Sequence, residues 1–155
     1  MAARKYPDLR TRLEARIQRI PSGCWLWTGT KLTTGYGQIV NHRKCFKVHR
    51  VAYELFVGPI PDGMQIDHIC HVRLCVNPAH LRLATNKQNG ENRLVPNPLR
   101  GASLKADGRW VARVTHNGHE YHGGSFRTAE EAVEGARLLR IKLFTHNDSD
   151  RRAAS

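Results

Sequence analysis

The sequence predicts an α+β fold built from two small modules that meet near residue 97. Three observations carry this reading. Cys70-x4-Cys75-x4-His80 lies between two short strand-like runs and is followed by a helix signal. Val95-Pro96-Asn97-Pro98 has two prolines and no periodicity, as a linker would. From Arg109 onward, alternation, an Asn-Gly turn and a helix-capping box succeed one another. The expected order is a basic amphipathic helix over 1–21, a metal-pinned domain over 22–94, a linker over 95–99, a three-stranded sheet with one helix over 100–146, and a disordered tail over 147–155.

Each element has a local cause. Over 8–20, Leu9, Leu13, Ile17 and Ile20 fall on one helical face, with Arg10, Arg12, Arg16 and Arg19 mostly on the other. That pattern fits a helix docked by its apolar stripe, its basic back facing solvent or a DNA backbone. From Cys24 to His49 the chain reads as short strands, Cys24 to Trp27, Gly35 to Val40 and Cys45 to Val48, with Gly and Asn as turn formers between them. Val51 to Val57 reads as a short helix stopped by Gly58-Pro59-Ile60-Pro61. In the second module Arg109 to Thr115 alternates, Asn117-Gly118 suits a tight hairpin, and His119 to His122 returns as a strand. Thr128 and Glu131 form the capping box of a helix whose Ala132, Ala136, Leu139 and Leu143 make an apolar face.

Composition narrows the partners. The 155 residues carry 25 Lys plus Arg against 13 Asp plus Glu, a formal net charge of +12. Such a balance favours a polyanion, nucleic acid first and an anionic membrane surface second. No apolar run approaches the roughly 18–20 residues of a membrane span, and the N-terminus lacks a signal-peptide apolar region. A soluble intracellular protein is therefore expected. The four cysteines, Cys24, Cys45, Cys70 and Cys75, then read as metal ligands ahead of two disulfides, because a reducing compartment disfavours the latter.

Small domains bury little apolar surface, so a structural metal is plausible on size alone. Zn²⁺ prefers four tetrahedral Cys and His ligands; Cys70, Cys75 and His80 supply three, and Cys24 is the best fourth because its strand must pack beside the motif. Buried free thiols are the alternative. Interleaved with these ligands are Asp67, His68 and Asn89, whose chemistry differs. Cutting a phosphodiester needs a base for water, a cation on the leaving oxygen and neutralisation of the phosphate. His68 is the natural base, since imidazole titrates near neutrality; a backbone or side-chain oxygen would fix its tautomer. Asp67 and Asn89 are hard oxygen donors suited to Mg²⁺ or Mn²⁺. Thr85-x-x-Gln88 is a capping box, placing Asn89 in the first turns of a helix that begins near Asn86. Strand, zinc-pinned loop, short strand at Leu81 to Ala84 and helix together have the form of a ββα-metal finger.

Asp67-His68, His80-Leu81 and Asn89 resemble the pattern of HNH nucleases, with His80 where the central Asn usually stands. The spacing from His68 to Asn89 is similar to the His-Cys box of homing endonucleases, and Cys24-Trp-Leu-Trp-Thr-Gly, Gly35-Tyr-Gly and His49-Arg-Val-Ala-Tyr-Glu resemble segments of phage-encoded HNH endonucleases. Over about 22–93 the resemblance implies His68 as general base, Asp67 and Asn89 as catalytic Mg²⁺ or Mn²⁺ ligands, Cys24, Cys70, Cys75 and His80 around a structural zinc, and Arg50 as a phosphate clamp. No cysteine follows Cys75, so the second zinc site of His-Cys box enzymes is absent. The C-terminal segment resembles an AP2 module. That implies a sheet laid in the DNA major groove, with Arg109, Arg113 and Arg127 facing DNA and Trp110 either stacking on sugar or filling the core; Arg93, in the preceding domain, is a further candidate DNA contact. The resemblance implies an HNH endonuclease of homing type acting on double-stranded DNA as monomer or homodimer, leaving 5′-phosphate and 3′-hydroxyl ends, in the cytoplasm of a bacterial host if phage-encoded. A non-catalytic zinc-stabilised DNA-binding protein is the alternative, and RNA binding a weaker third.

Overall fold

The computed structural model describes residues 8–153; the expectations for residues 1–7 and for 154 and 155 lie outside the described residues. The chain divides between Asn86 and Lys87 into two compact units, ahead of the expected linker at 95–99.

The first unit opens with α1, Leu9–Glu14, capped by Asp8, which accepts a hydrogen bond from the Thr11 backbone N–H. The helix expected to run to residue 20 ends here. Ile17–Arg19 is instead strand β1, paired antiparallel with β2, Trp25–Trp27, in the register Ile17↔Trp27. The spacing of Ile17 and Ile20 fits a helix, but Pro21-Ser22-Gly23 turns the chain back, and β2 then satisfies the extended backbone of 17–19.

Strands β3, Gln38–Asn41, and β4, Lys44–Lys47, form a second hairpin. Helix α2, Val48–Phe56, follows directly and begins three residues earlier than the sequence suggested. Its Val48, Val51 and Ala52 are buried at helical spacing and Leu55 packs beside them, while Gly58 N–H closes on the Tyr53 carbonyl. These residues, with Leu13, Trp27, Ile39, Ile66, Val76 and Leu81, are the core. Trp27 is 2% exposed and its indole N–H reaches the Thr30 carbonyl. A Cβ on Gly37 would stand 2.5 Å from both Trp27 and Val48, so the Gly-Tyr-Gly run lets backbone pass over the tryptophan.

Strand β5, Gln65–His68, pairs antiparallel with β6, Leu81–Ala84, with Asp67 opposite Arg82 and His68 opposite Leu81. Between them a short 3-10 turn, Pro78–His80, is capped by Asn77. Helix α3, Asn86–Glu91, follows β6. Both strand and helix positions match the sequence expectation.

In the second unit β7, Ala102–Leu104, β8, Trp110–His116, and β9, His119–Phe126, form an antiparallel sheet in that order. The β8–β9 turn places Asn117 and Gly118 at positive φ, as a tight hairpin needs. Helix α4, Ala129–Leu143, starts at the Thr128/Glu131 capping box, and Ala136, Leu139 and Leu143 pack on Ala112, Val114 and Phe126. The tail expected to be disordered is ordered through 153. Helix α5, Asp148–Arg152, is held by Asp150, which pairs with Arg140 at 2.6 Å, while Asn147 is fully buried. Charge pairing rather than an apolar stripe docks it, so hydrophobic periodicity gave no signal.

Candidate functional site

The Cys70–Cys75 loop is stitched to β2 by backbone. Trp27 N–H donates to Leu74 O at 2.9 Å, Val76 N–H donates to Trp25 O at 2.8 Å, and Leu26 and Cys75 form an isolated bridge. That pairing sets Cys24 against the loop. Asn77 adds a strut: its amide donates to Gly23 O at 2.6 Å while its oxygen caps Ala79 N–H. An Asn directly before Pro is a recognisable turn signal in the sequence, and here it doubles as this strut.

As a result the ligand atoms of Cys24, Cys70, Cys75 and His80 all lie within 4.8 Å of one another. His80 Nδ1 is 3.6 Å from both Cys24 Sγ and Cys75 Sγ. Bond lengths of about 2.3 Å to sulfur and about 2.0–2.1 Å to nitrogen would hold tetrahedral S and N ligands about 3.6 Å apart, so the donor set fits a metal in both kind and spacing. A hydrogen bond from the Cys70 thiol pulls the Cys75 thiol well below the usual range, and Cys70 is raised in return. Cys45 is not part of this cluster and is exposed on β4.

Beside the cluster stands His68, 6% exposed. Its Nε2 lies 3.1 Å from the Cys75 carbonyl oxygen, which can only accept, so Nε2 carries the proton and the lone pair sits on Nδ1. Burial lowers the His68 pKa, partly opposed by that carbonyl. The ring packs in a triangle with two others: His49 at 4.9 Å and Tyr36 at 6.0 Å, with Tyr36 to His49 at 5.0 Å. Lys47 and Arg73 lie over the Tyr36 ring at 5.2 and 5.6 Å, giving the group a cationic rim. His49 is buried, its Nδ1 has no hydrogen-bond partner among the described residues, and burial takes its pKa down to about 3. Extending the 51, 52, 55 apolar spacing back to Val48 places His49 in a buried first turn of α2.

Asp67, 4% exposed, carries a partner the sequence did not offer. Arg82 Nη2 and Nε donate to its Oδ2 at 2.8 and 3.0 Å, directly across the β5–β6 pair. Arg50, half-buried, points Nη1 toward the Met64 carbonyl at 3.5 Å. Asn89 lies on α3, described with the second unit.

In that unit β8 alternation puts Arg109 and Arg113 on the face opposite α4, and Trp110 on the face that carries Ala112 and Val114 against the helix. Arg109 is exposed and tied to Ser125 at 3.0 Å, and Arg113 pairs with Glu120 at 3.4 Å. Arg127 and Arg93 are exposed.

A strand, a loop that gathers three cysteines and a histidine, and a returning strand make a candidate metal clip. The chain belongs to the HNH endonuclease family, whose model matches residues 46–91. It is 36% identical over 92 residues to the uncharacterized gene 5.3 protein of Enterobacteria phage T3, covering 52% of this chain and 91% of that one. It is 38% identical over 84 residues to Protein 2.8 of Escherichia phage T7, covering 53% of this chain and 57% of that one. An uncharacterized HNH endonuclease of Acanthamoeba polyphaga mimivirus, L560, is 31% identical over 99 residues, 63% of this chain and 53% of that one. The chain spans about half the length of these last two relatives. No solved structure matches it. Among the described residues no helix is long and apolar enough to cross a membrane.

Proposed function

We propose that this protein is a divalent-metal-dependent DNA endonuclease with His68 as general base. The observation that carries the reading is the buried His68 ring, with Nε2 bound to the Cys75 carbonyl and its lone pair on Nδ1, next to Asp67 on β5. Nδ1 takes a proton from the attacking water, and the lowered pKa keeps His68 unprotonated at neutral pH. The HNH pattern assigns Asp67 and Asn89 as oxygen donors for Mg²⁺ or Mn²⁺; such an ion, when bound, stabilises charge on the phosphate and the leaving 3′ oxygen. Arg50 serves as phosphate clamp, and hydrolysis leaves 5′-phosphate and 3′-hydroxyl ends. Zn²⁺ is the ion that best suits three thiolates and an imidazole, and its role is structural.

The sheet and helix of the second unit suit an AP2-like reader of double-stranded DNA, with Arg109, Arg113, Arg127 and Arg93 toward the duplex and Trp110 on the helix side. The AP2 and homing-type assignments rest on sequence resemblance, as does action as monomer or homodimer. Similarity to phage proteins suggests the bacterial host cytoplasm as the place of action. The Asp67–Arg82 ion pair favours one alternative, a non-catalytic zinc-stabilised DNA-binding protein, because it neutralises a proposed metal ligand.

Incubating supercoiled plasmid DNA with the parent and with His68→Ala in Mg²⁺, alongside a binding assay, separates the two. Cutting by the parent alone, with binding kept by the variant, is expected. Binding without cutting by either would select the non-catalytic reading.

A further inference from the structure

Helix α3 does two things in the chain. It carries Asn89, and its last turn is buried in the second unit. Glu91 is 7% exposed and Asn92 2% exposed, unusual for polar residues at the end of a six-residue helix with no apolar face. Both reach partners in the C-terminal module, and Glu91 also meets Lys87 on α3 itself. Glu91 Oε2 accepts from the Thr145 backbone N–H at 3.1 Å and from its hydroxyl at 3.4 Å. Glu91 Oε1 stands 3.0 Å from Lys87 Nζ and 3.4 Å from His116 Nδ1. Asn92 Oδ1 accepts from Asp148 N–H at 3.1 Å. His116 is itself stacked on Phe144, with ring centroids 5.6 Å apart. Burial raises the Glu91 pKa, but Lys87 and the backbone N–H groups of Thr145 and His146 outweigh it, and the carboxyl stays below its usual range.

A helix this short has no stability of its own, and α3 has no apolar stripe to dock it: Asn86, Lys87, Gln88, Asn89, Gly90, Glu91. The bonds that hold Glu91 and Asn92 therefore help to fix its orientation. We infer that Glu91 is a positioning residue for Asn89, so that residues 144–148 and His116 of the C-terminal module belong to the catalytic apparatus rather than to DNA reading alone. The inference deepens the nuclease reading and rests on it, since it takes Asn89 as a metal-binding residue.

The consequence differs from that of a modular tether. A detachable reader would change where DNA is cut; an anchored α3 changes how fast. Glu91→Leu removes the acceptors for Thr145, and Glu91→Gln keeps the shape and an acceptor for them while losing the charge. Two measurements on the full-length chain decide the matter. Amide hydrogen exchange compares residues 87–92 with the β8–β9 ladder, which reports whether the module itself stays folded. Plasmid cleavage gives kcat, KM for DNA and the Mg²⁺ concentration for half-maximal rate. In Glu91→Leu, exchange is expected to speed at 87–92 while β8–β9 stays protected. The cleavage kcat is expected to fall by about 100-fold, the scale at which a misplaced group costs rate, with KM nearly unchanged and more Mg²⁺ required. Glu91→Gln should recover a large part of each. Unchanged exchange at 87–92 would overturn the anchor, and loosened exchange with parental kcat would overturn its role in catalysis. Loss of β8–β9 protection in both variants would make Glu91 a folding residue and overturn the inference as well. If the parent cuts no DNA while His68→Ala behaves identically, the nuclease reading fails and takes the catalytic half of the inference with it, and exchange still judges the anchor.

Discussion

The Cys75 carbonyl oxygen accepts a hydrogen bond from His68 Nε2 at 3.1 Å, while the Cys75 sulfur stands 3.6 Å from His80 Nδ1. One residue thus closes the candidate metal site through its side chain and orients the proposed base through its backbone. Whatever disturbs the cluster should turn the imidazole.

Removing the clip metal is therefore expected to cost activity and fold together. Dialysis against a strong chelator should lower the thermal midpoint of the first unit and abolish cutting, and Zn²⁺ but not excess Mg²⁺ should restore both. Metal analysis of the folded protein should find close to one equivalent of zinc. Folded protein without zinc would sink the assignment.

Arg82 balances Asp67 in a place where both are largely shielded, with side-chain exposures of 23% and 6%. Arg82→Ala should cost about 2–3 kcal/mol by removing two charge-assisted hydrogen bonds from a buried carboxylate. If Asp67 also binds the catalytic ion, added Mg²⁺ or Mn²⁺ should return part of that loss. Urea denaturation with and without the ion measures both effects, and a variant as stable as the parent would show the pair to be idle.

Acid should weaken the first unit before any carboxylate titrates. His49 has a folded pKa of about 3 against an ordinary 6.5, and His68 is shifted the same way. The unfolded chain then binds more protons below pH 6.5, so stability is full above that pH and declines as pH falls toward the folded values. Well below pH 6.5 His49 contributes a slope approaching about 1.4 kcal/mol per pH unit, and His68 adds to it in the same direction. Urea midpoints between pH 7.5 and 5, taken in saturating zinc, should fall for the parent. They should fall less steeply for His49→Leu, and equal slopes would argue against a neutral buried His49.

The end of the chain should prove structural. Arg140 is 5% exposed and Asp150 is its carboxylate partner, with Arg137 reaching the Asp150 backbone carbonyl at 2.7 Å. Asp150→Ala leaves a guanidinium buried and should cost about 3 kcal/mol, read as a lower unfolding midpoint of the second unit. Truncation after residue 146 should do at least as much. A loss below about 0.5 kcal/mol, the scale of an ordinary surface change, would show the pair to be ornamental.

What the sequence disclosed follows the range of the interactions. β6, α3 and the Cys-Cys-His spacing are written within a few residues of one another and were readable to within a residue or two. Cys24 was reachable because its strand had to pack somewhere. The Arg82 partner of Asp67 and the Cys75 carbonyl beneath His68 depend on cross-strand register and loop path, which no local pattern encodes. The misread stretch at 15–20 shows the converse: Leu9, Leu13, Ile17 and Ile20 keep helical spacing, yet pairing with Trp25–Trp27 decided the backbone. His49 and Glu91 escaped notice because burial of a polar side chain is a tertiary fact. The helix at Asp148–Arg152 escaped because ion pairs, not periodic apolar residues, hold it.

The Cys3His cluster also has a meaning for the unfolded chain. Cys24 and His80 are 56 residues apart in sequence, so an ion gripping both acts as a cross-link over most of the first unit. By the loop-closure entropy used for disulfides, a ring of that size is worth about 4 kcal/mol. That is a large share of the roughly 5–15 kcal/mol by which a domain is stable at all. A staple made of thiolates and a metal needs no oxidant to form and is untouched by disulfide exchange, so a chain this small can be cross-linked in a compartment where a disulfide would be reduced.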